Sequence, residues 1–331
     1  MASIMLHGSS GIWRGDWPRA RRNDRRQIAY AMAAVVALVV HSVAGANGDR
    51  FEQQANKVEP AAVSASTKAA GPRTGALNPE FVIGGYSGAT YTQPSVVAIT
   101  KPGAIDMTVR DFNWIGLPFK APIYYGIRVQ RWNPVGGIGS MVDFTHAKAI
   151  AVASDQATFT GTRDGKPVEP KAQINKVFRH LEFSHGHNML TYNGLFRWPS
   201  LGRLSGPIRP YVGAGVGITL PHTEIGFADK NTRTYEYQFA GFVGQVLGGV
   251  EINLGRTSVF AEYKFSFSPY EVPLSEEPRG FILFTDLWRQ FRAWATGEAP
   301  PGGRLATNLA THHANFGLLV RLGSPPAASA P

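Results

Sequence analysis

The chain has no cysteine, and that absence removes disulfides, zinc–thiolate sites and the lipidated cysteine of a lipoprotein. Charge is also scarce. Asp, Glu, Lys and Arg make up 17% of the 331 residues, against 44% hydrophobic residues. Apolar runs long enough for a membrane helix are missing too. The longest, Ile28 to Val40, falls short of the roughly 20 residues a spanning helix needs. No nucleic-acid motif accompanies the net charge of +10. A dinucleotide loop is absent as well, because Gly213, Gly215 and Gly217 recur every second residue with no helix behind them.

What is present is a two-residue rhythm, clearest from Gln238 to Tyr270. Ala240, Phe242, Val246, Val250 and Ile252 share one parity, opposite Gln245, Glu251 and Asn253. After the turn Leu254-Gly255-Arg256, the residues Val259, Ala261, Tyr263, Phe265 and Phe267 alternate with Ser258, Glu262, Lys264, Ser266 and Ser268. Successive side chains of a strand face opposite sides, so each arm has one apolar and one polar face. Both arms exceed the usual ~5–6 residues of a soluble strand. Long alternating strands joined by tiny turns predict a transmembrane β-barrel with lipid outside and a polar lumen inside.

The same rhythm places further strands at 80–91, 122–132, 137–150, 185–198, 207–224 and 305–322. With the central hairpin, that gives an all-β fold, an eight-stranded antiparallel up-and-down barrel over 80–322. The connections 133–136, 199–206 and 254–256 are short, whereas 92–121, 151–184, 225–237 and 271–304 are long. Short periplasmic turns and long external loops are the asymmetry of outer-membrane barrels. A cylinder this narrow is filled by side chains. Arg128, Asp143, Arg197, Glu251, Glu262, Lys264 and Arg321 face that interior, and their mixed signs predict a self-satisfying ion-pair network rather than a proton relay. Gly213, Gly215 and Gly217 leave room there for bulky neighbours.

Residues 1–46 read as an export signal, with Arg21, Arg22, Arg25 and Arg26 ahead of the apolar run and small-residue cleavage sites at Ser42-Val43-Ala44 and Ala44-Gly45-Ala46. A membrane-anchoring helix is the other reading of that run. Residues 47–79 lack any apolar period and read as a disordered periplasmic linker, and 323–331 as a disordered tail. Losing the signal removes six arginines and two acids, so about +6 remains, a charge suited to anionic lipid. The expected location is the outer membrane of a Gram-negative bacterium, as a monomer, with no nucleic-acid partner and no nucleotide cofactor.

Histidines mark one end of the cylinder. His146, His180, His185, His187, His222, His312 and His313 all fall at external strand ends, and none is near a periplasmic turn. Adjacent strands lie ~4.8 Å apart, so rim imidazoles on neighbours can converge. His146, His185, His187 and His222 are the candidate metal ligands, with Glu182 and Glu224 as carboxylates. Parity divides them, with His185 and His187 inward and His146, His222 and Glu224 outward, unless a bulge resets the phase. The plain alternative is that amphipathic imidazoles suit the headgroup layer. Between Phe281 and Trp294, the residues Phe284, Leu287, Trp288, Phe291 and Trp294 recur at helical spacing, with Arg289 and Arg292 among the rest. Such a helix suits a membrane interface or a lid over the barrel mouth.

Several segments resemble OmpA-like barrels of the lipid A oxidase family. They include Asp106-Met107-Thr108 with Phe112 and Trp114, Pro122-Ile123-Tyr124-Tyr125-Gly126, Asp143-Phe144-Thr145-His146-Ala147-Lys148 and Leu181-Glu182-Phe183-Ser184-His185-Gly186. Asn188-Met189-Leu190-Thr191, Arg209-Pro210-Tyr211-Val212-Gly213-Ala214-Gly215, Pro221-His222, Glu262-Tyr263-Lys264 and Thr307-Asn308 extend the likeness over 80–322. The resemblance implies oxidation of the proximal glucosamine of lipid A to 2-aminogluconate by molecular oxygen, with a divalent metal such as iron. On that reading His146, His185 and Glu182 are the candidate catalytic residues. Arg289, Arg292, Arg304 and Trp288 are candidates for holding lipid A, since arginine suits bidentate phosphate binding. The aromatic insertion at 281–301 and the tail after Ser324 depart from the family pattern. The competing reading is a non-enzymatic surface antigen or structural barrel.

Overall fold

The computed structural model describes residues 79–134, 137–198, 207–275, 284–298, 300 and 302–322. The export signal, nearly all of the linker, the turn 199–206 and the tail lie outside them. In chain order the first elements are β1 (Glu80–Thr92), β2 (Val97–Lys101), β3 (Ile105–Arg110), β4 (Trp114–Ile115), β5 (Tyr125–Trp132) and β6 (Ile138–Ala151). There follow β7 (Gln156–Arg163), β8 (Lys166–Pro167), β9 (Lys171–Gln173), the single turn α1 (Ile174–Val177), β10 (Phe178–Arg197) and β11 (Ile208–Thr219). The last are β12 (His222–Phe227), β13 (Thr234–Tyr237), β14 (Gly241–Asn253), β15 (Thr257–Pro273), α2 (Phe284–Thr296) and β16 (Arg304–Leu322).

Eight of these strands close a ring in the order β1, β5, β6, β10, β11, β14, β15, β16, and β16 pairs back to β1 antiparallel. Closure leaves no unpaired edge, which hydrocarbon would penalise. Phe81, Ile83, Ile127, Val129, Val142, Tyr192, Val212, Val246, Phe316 and Leu318 form an exposed apolar outer band. The chain is therefore a transmembrane β-barrel of the outer-membrane kind. Among the described residues no helix is long and apolar enough to cross a membrane.

The lumen is closed, its buried charges packed among a first core that includes Tyr86, Trp132, Met141, Leu195, Leu247, Phe260 and Leu319. Arg128 donates both terminal nitrogens to Glu262 at 2.8 Å and lies over the rings of Tyr86 and Phe260. Lys264 Nζ reaches Asp143 at 2.9 Å, Tyr86 at 2.9 Å and Thr145 at 2.7 Å. Towards the periplasmic turns a second group joins Glu80 and Glu251 to Arg197 and Arg321. The inward glycines of β11 do make room. A Cβ on Gly215 would lie 2.1 Å from the Asn193 side chain.

The long external connections 92–121 and 151–184 carry strands of their own. β2 adds to β16, β3 pairs with β2 and β7, and β7 carries β8 and β9. The wall thus continues beyond the apolar band and encloses a second core, which includes Ile99, Met107, Phe112, Phe159, Phe178, Phe183, Val272 and Leu305. Each such side chain contributes about 1.5–3 kcal/mol by burial. This apolar core sits on top of the lumen and seals it.

Two strand boundaries differ from the sequence expectation. β10 starts at Phe178 rather than near His185, because its first turns pair with β12 outside the bilayer. The expected strand 207–224 breaks at Leu220-Pro221 into β11 and β12, since proline has no N–H for a ladder.

Candidate functional site

The external half of β10 carries an irregularity that decides the geometry of the rim. Phe183 sits opposite Ala149 of β6 and His187 opposite Ala147, so β10 spends four steps where β6 spends two. Gly186, at φ +143°, absorbs the excess in a conformation that L side chains rarely adopt. The two extra residues keep the phase of β10 the same on either side, with Phe183 and His187 both inward, and only His185 within the bulge departs from it. His187 stays inward, fully buried, hydrogen-bonded to the hydroxyl of Tyr270. His185 turns outward and is nearly half exposed.

On that outward side His185 meets the β12–β13 hairpin. Its ring lies 5.0 Å from that of His222, and its Nδ1 3.8 Å from Glu224 Oε2. His222 is wedged edge-on between Tyr235 and Tyr237, at 4.4 and 4.7 Å, and its Nδ1 is buried without a partner. Burial, followed by His185 and Arg233, holds the His222 pKa down at about 4, so the ring is neutral at ordinary pH. His146, outward on β6, stacks on Tyr125 at 5.0 Å. Its Nδ1 donates to Asn188 Oδ1 at 2.8 Å, which leaves Nε2 as a bare, buried acceptor.

A few ångströms further out lies the tightest group. His180 Nδ1 is 2.8 Å from Glu182 Oε1 and 3.3 Å from Glu224 Oε1, and these donors all lie within 4.8 Å of one another. Arg233 binds Glu224, approaches His180 Nε2 at 3.4 Å and stacks over Tyr235.

The four expected metal ligands therefore separate. His185 and His222 come together, His146 stands nearby on its own strand, and His187 faces the lumen. Glu182 and Glu224, expected as carboxylates, are neighbours. His180, Arg233, Tyr235 and Tyr237 were not in the predicted set. Gly186 between two histidines is the sequence signal that marks the bulge. A nitrogen-and-oxygen donor group of His180, Glu182 and Glu224 fits iron or a similar divalent metal.

The remaining candidates lie elsewhere. On α2, Phe291 and Trp294 pack against Phe239, Trp294 also meets the outward ring of Phe242, and Gln290 Oε1 accepts the Phe239 N–H. The helix thus rests on the outside of the wall, with Trp288, Arg289 and Arg292 exposed. Arg304 is paired with Glu271 on the β15–β16 ladder. Of the last two rim histidines, His312 faces out between Tyr263 and Gln93, and His313 faces in between Tyr124 and Ser266.

No protein-family model matches the chain, and no curated protein matches it in sequence. Among solved structures it is similar to the Neisserial surface protein A (NspA), at 8% identity and a TM-score of 0.33, covering 74% of this chain and 99% of that one. It is also similar to the outer membrane protein OprG from Pseudomonas aeruginosa, at 12% identity and a TM-score of 0.35, covering 74% of this chain and 96% of that one. No residue role passes from either protein to this one.

Proposed function

We propose that the chain sits in the outer membrane of a Gram-negative bacterium and modifies lipid A, oxidising its proximal glucosamine towards 2-aminogluconate at the rim cluster. The observation that carries this reading is the side of the wall on which the cluster lies. Its imidazoles and carboxylates continue the lipid-facing surface at the external rim, where the sugars of outer-leaflet lipids are found, while the lumen is plugged by ion pairs and capped by an apolar core.

The oxidation breaks the C1–H bond and removes the C1 hydroxyl proton, the two electrons and two protons reducing dioxygen to hydrogen peroxide. Water then opens the lactone to the acid, and the hydroxyl proton needs a base. His185, beside Glu224 and outside the His180, Glu182 and Glu224 group, is placed to accept it. Arg289 and Arg292 on α2 offer cations to lipid A phosphates. A divalent metal would be held by His180, Glu182 and Glu224, and would supply the centre at which dioxygen is reduced.

Mass spectra of lipid A from cells with and without the gene, grown with and without oxygen, test the reading. The expected product is lipid A heavier by one oxygen atom on its proximal sugar, formed only with the gene and oxygen, and lost in Glu224→Gln. An unchanged sugar profile leaves the second reading, a surface or structural barrel. The observation favouring that alternative is the lumen, whose central charges satisfy one another completely.

A further inference from the structure

Glu182 and Glu224 are direct Cα partners across the β10–β12 ladder, and both side chains are largely shielded from water. Like charges set directly opposite one another destabilise a sheet. The arrangement therefore calls for positive charge between them. Arg233 brings one unit against two, and it does so from one side, through Glu224 and the far nitrogen of His180. Its guanidinium is more than a third exposed and rests on Tyr235, at 4.5 Å from the ring centroid, so water lies within its reach.

The donor spacing has a size of its own. Ligand atoms around a centre with bonds of about 2.0–2.2 Å stand roughly 3–3.5 Å apart. His180 Nδ1 is hydrogen-bonded to Glu182 Oε1 at 2.8 Å and stands 3.3 Å from Glu224 Oε1, the second distance within that range. Beside the group, His185 Nδ1 stands 3.8 Å from the second oxygen of Glu224. Behind His185, the buried Nδ1 of His222 has no partner. Imidazole favours zinc, iron and nickel, whereas carboxylates alone favour magnesium, calcium and manganese.

We propose that this cluster binds a first-row divalent cation through His180, Glu182 and Glu224, with Arg233 as a resident counter-charge that the cation displaces. The inference rests on the ligand set of the reading above and deepens it by naming the group that competes with the metal, but it requires no lipid A. Cobalt(II) alone, titrated into the full chain refolded in detergent micelles, tests it through visible d–d absorption and calorimetric stoichiometry. One cobalt per barrel is expected in the wild type. The Glu182→Gln/Glu224→Gln variant weakens binding by more than about 100-fold, and Arg233→Gln tightens it by about tenfold, beyond and within the range of outer-shell effects respectively. Binding that is absent from both the wild type and Arg233→Gln overturns the proposal. So does binding that the double glutamine variant leaves unchanged, once far-UV circular dichroism shows it folded. If that variant does not fold, the Arg233→Gln titration decides alone, and unchanged affinity there overturns the proposal. Because no lipid is present, failure here is separate from failure of the lipid A spectra.

Discussion

Replacing Glu262 by leucine tests whether the lumen holds together as one charge-balanced unit. Four buried charges meet at the middle of the barrel, Arg128 and Lys264 against Asp143 and Glu262. Glu262 accepts from both terminal nitrogens of Arg128 at 2.8 Å, from Tyr211 at 2.9 Å and from Asn315 at 3.0 Å. Without it, Arg128 keeps only Asp143, at 3.4 Å, and that carboxylate is already engaged by Lys264. The centre is left with one unpaired positive charge out of contact with water. Breaking such a pair from one side costs about 3–5 kcal/mol. Removing the stranded cation as well, in Arg128→Met/Glu262→Leu, restores the balance between Asp143 and Lys264. The double variant still leaves Tyr211 and Asn315 short of an acceptor, at about 1–3 kcal/mol per unsatisfied group. It is nevertheless expected to be more stable than the sum of the two single variants, with a coupling near the upper end of roughly 0.5–3 kcal/mol. Urea unfolding from lipid vesicles, followed by tryptophan fluorescence, measures all four corners of the cycle. Additive losses within error would refute the idea that Glu262 and Arg128 act as a pair.

Other perturbations address the parts above and outside the bilayer. Leu305→Ala removes a fully buried side chain from the external core and is expected to cost about 2–5 kcal/mol there. Limited proteolysis should then open residues 93–124 and 152–177 while the spanning strands stay protected, and equal protection of both regions would count against a separate core. Gly186→Ala places a Cβ 2.4 Å from Asn188, which is already held by His146 and Leu220, in a backbone region costing about 1–3 kcal/mol for a non-glycine residue. The barrel should assemble but bind cobalt(II) more weakly, and full affinity would show that the bulge does not set the site. Trp288→Phe should lower the quenching of tryptophan fluorescence by lipids brominated near the headgroup. Unchanged quenching would place α2 away from the lipid.

The spanning part of the molecule was legible in the sequence because one physical rule governs it. A side chain there faces either hydrocarbon or the lumen, so parity alone assigns Val246, Val250 and Ile252 to lipid and Gln245 and Glu251 to the interior. The eight strands, their closure and the mixed charges inside all follow from that rule. The rim obeyed no such rule. His185 and His187 share a parity by count, and only the extra residues absorbed at Gly186 send one outward and leave the other in. The contact of Glu182 with Glu224 depends on how β10 pairs with a separate hairpin, and Arg233 enters from that hairpin's turn. Those partners come from the registry of three short segments, which composition does not encode.

The external connections were misjudged for a related reason, and β16 makes it plain. Its inward side chains from the mouth downward are Leu305, Thr307, Leu309, Thr311, His313, Asn315, Gly317, Leu319 and Arg321, and its outward ones include Asn308, His312, Phe316, Leu318, Val320 and Leu322. Near the mouth the interior is apolar and the exterior polar, and near the periplasmic end most of this is reversed. A strand that leaves the bilayer exchanges hydrocarbon for water on its outer face, so the hydrophobic effect now favours burial inside the cylinder. The short apolar alternations Val97, Ile99 and Ile105, Met107, Val109 are the same inverted phase continued in β2 and β3. A spanning strand needs ~9–11 residues, whereas β10 has 20 and β16 has 19. The surplus length is what lifts β10 clear of the hydrocarbon, so Glu182 and His180 can carry charge on an outward face that membrane depth would forbid.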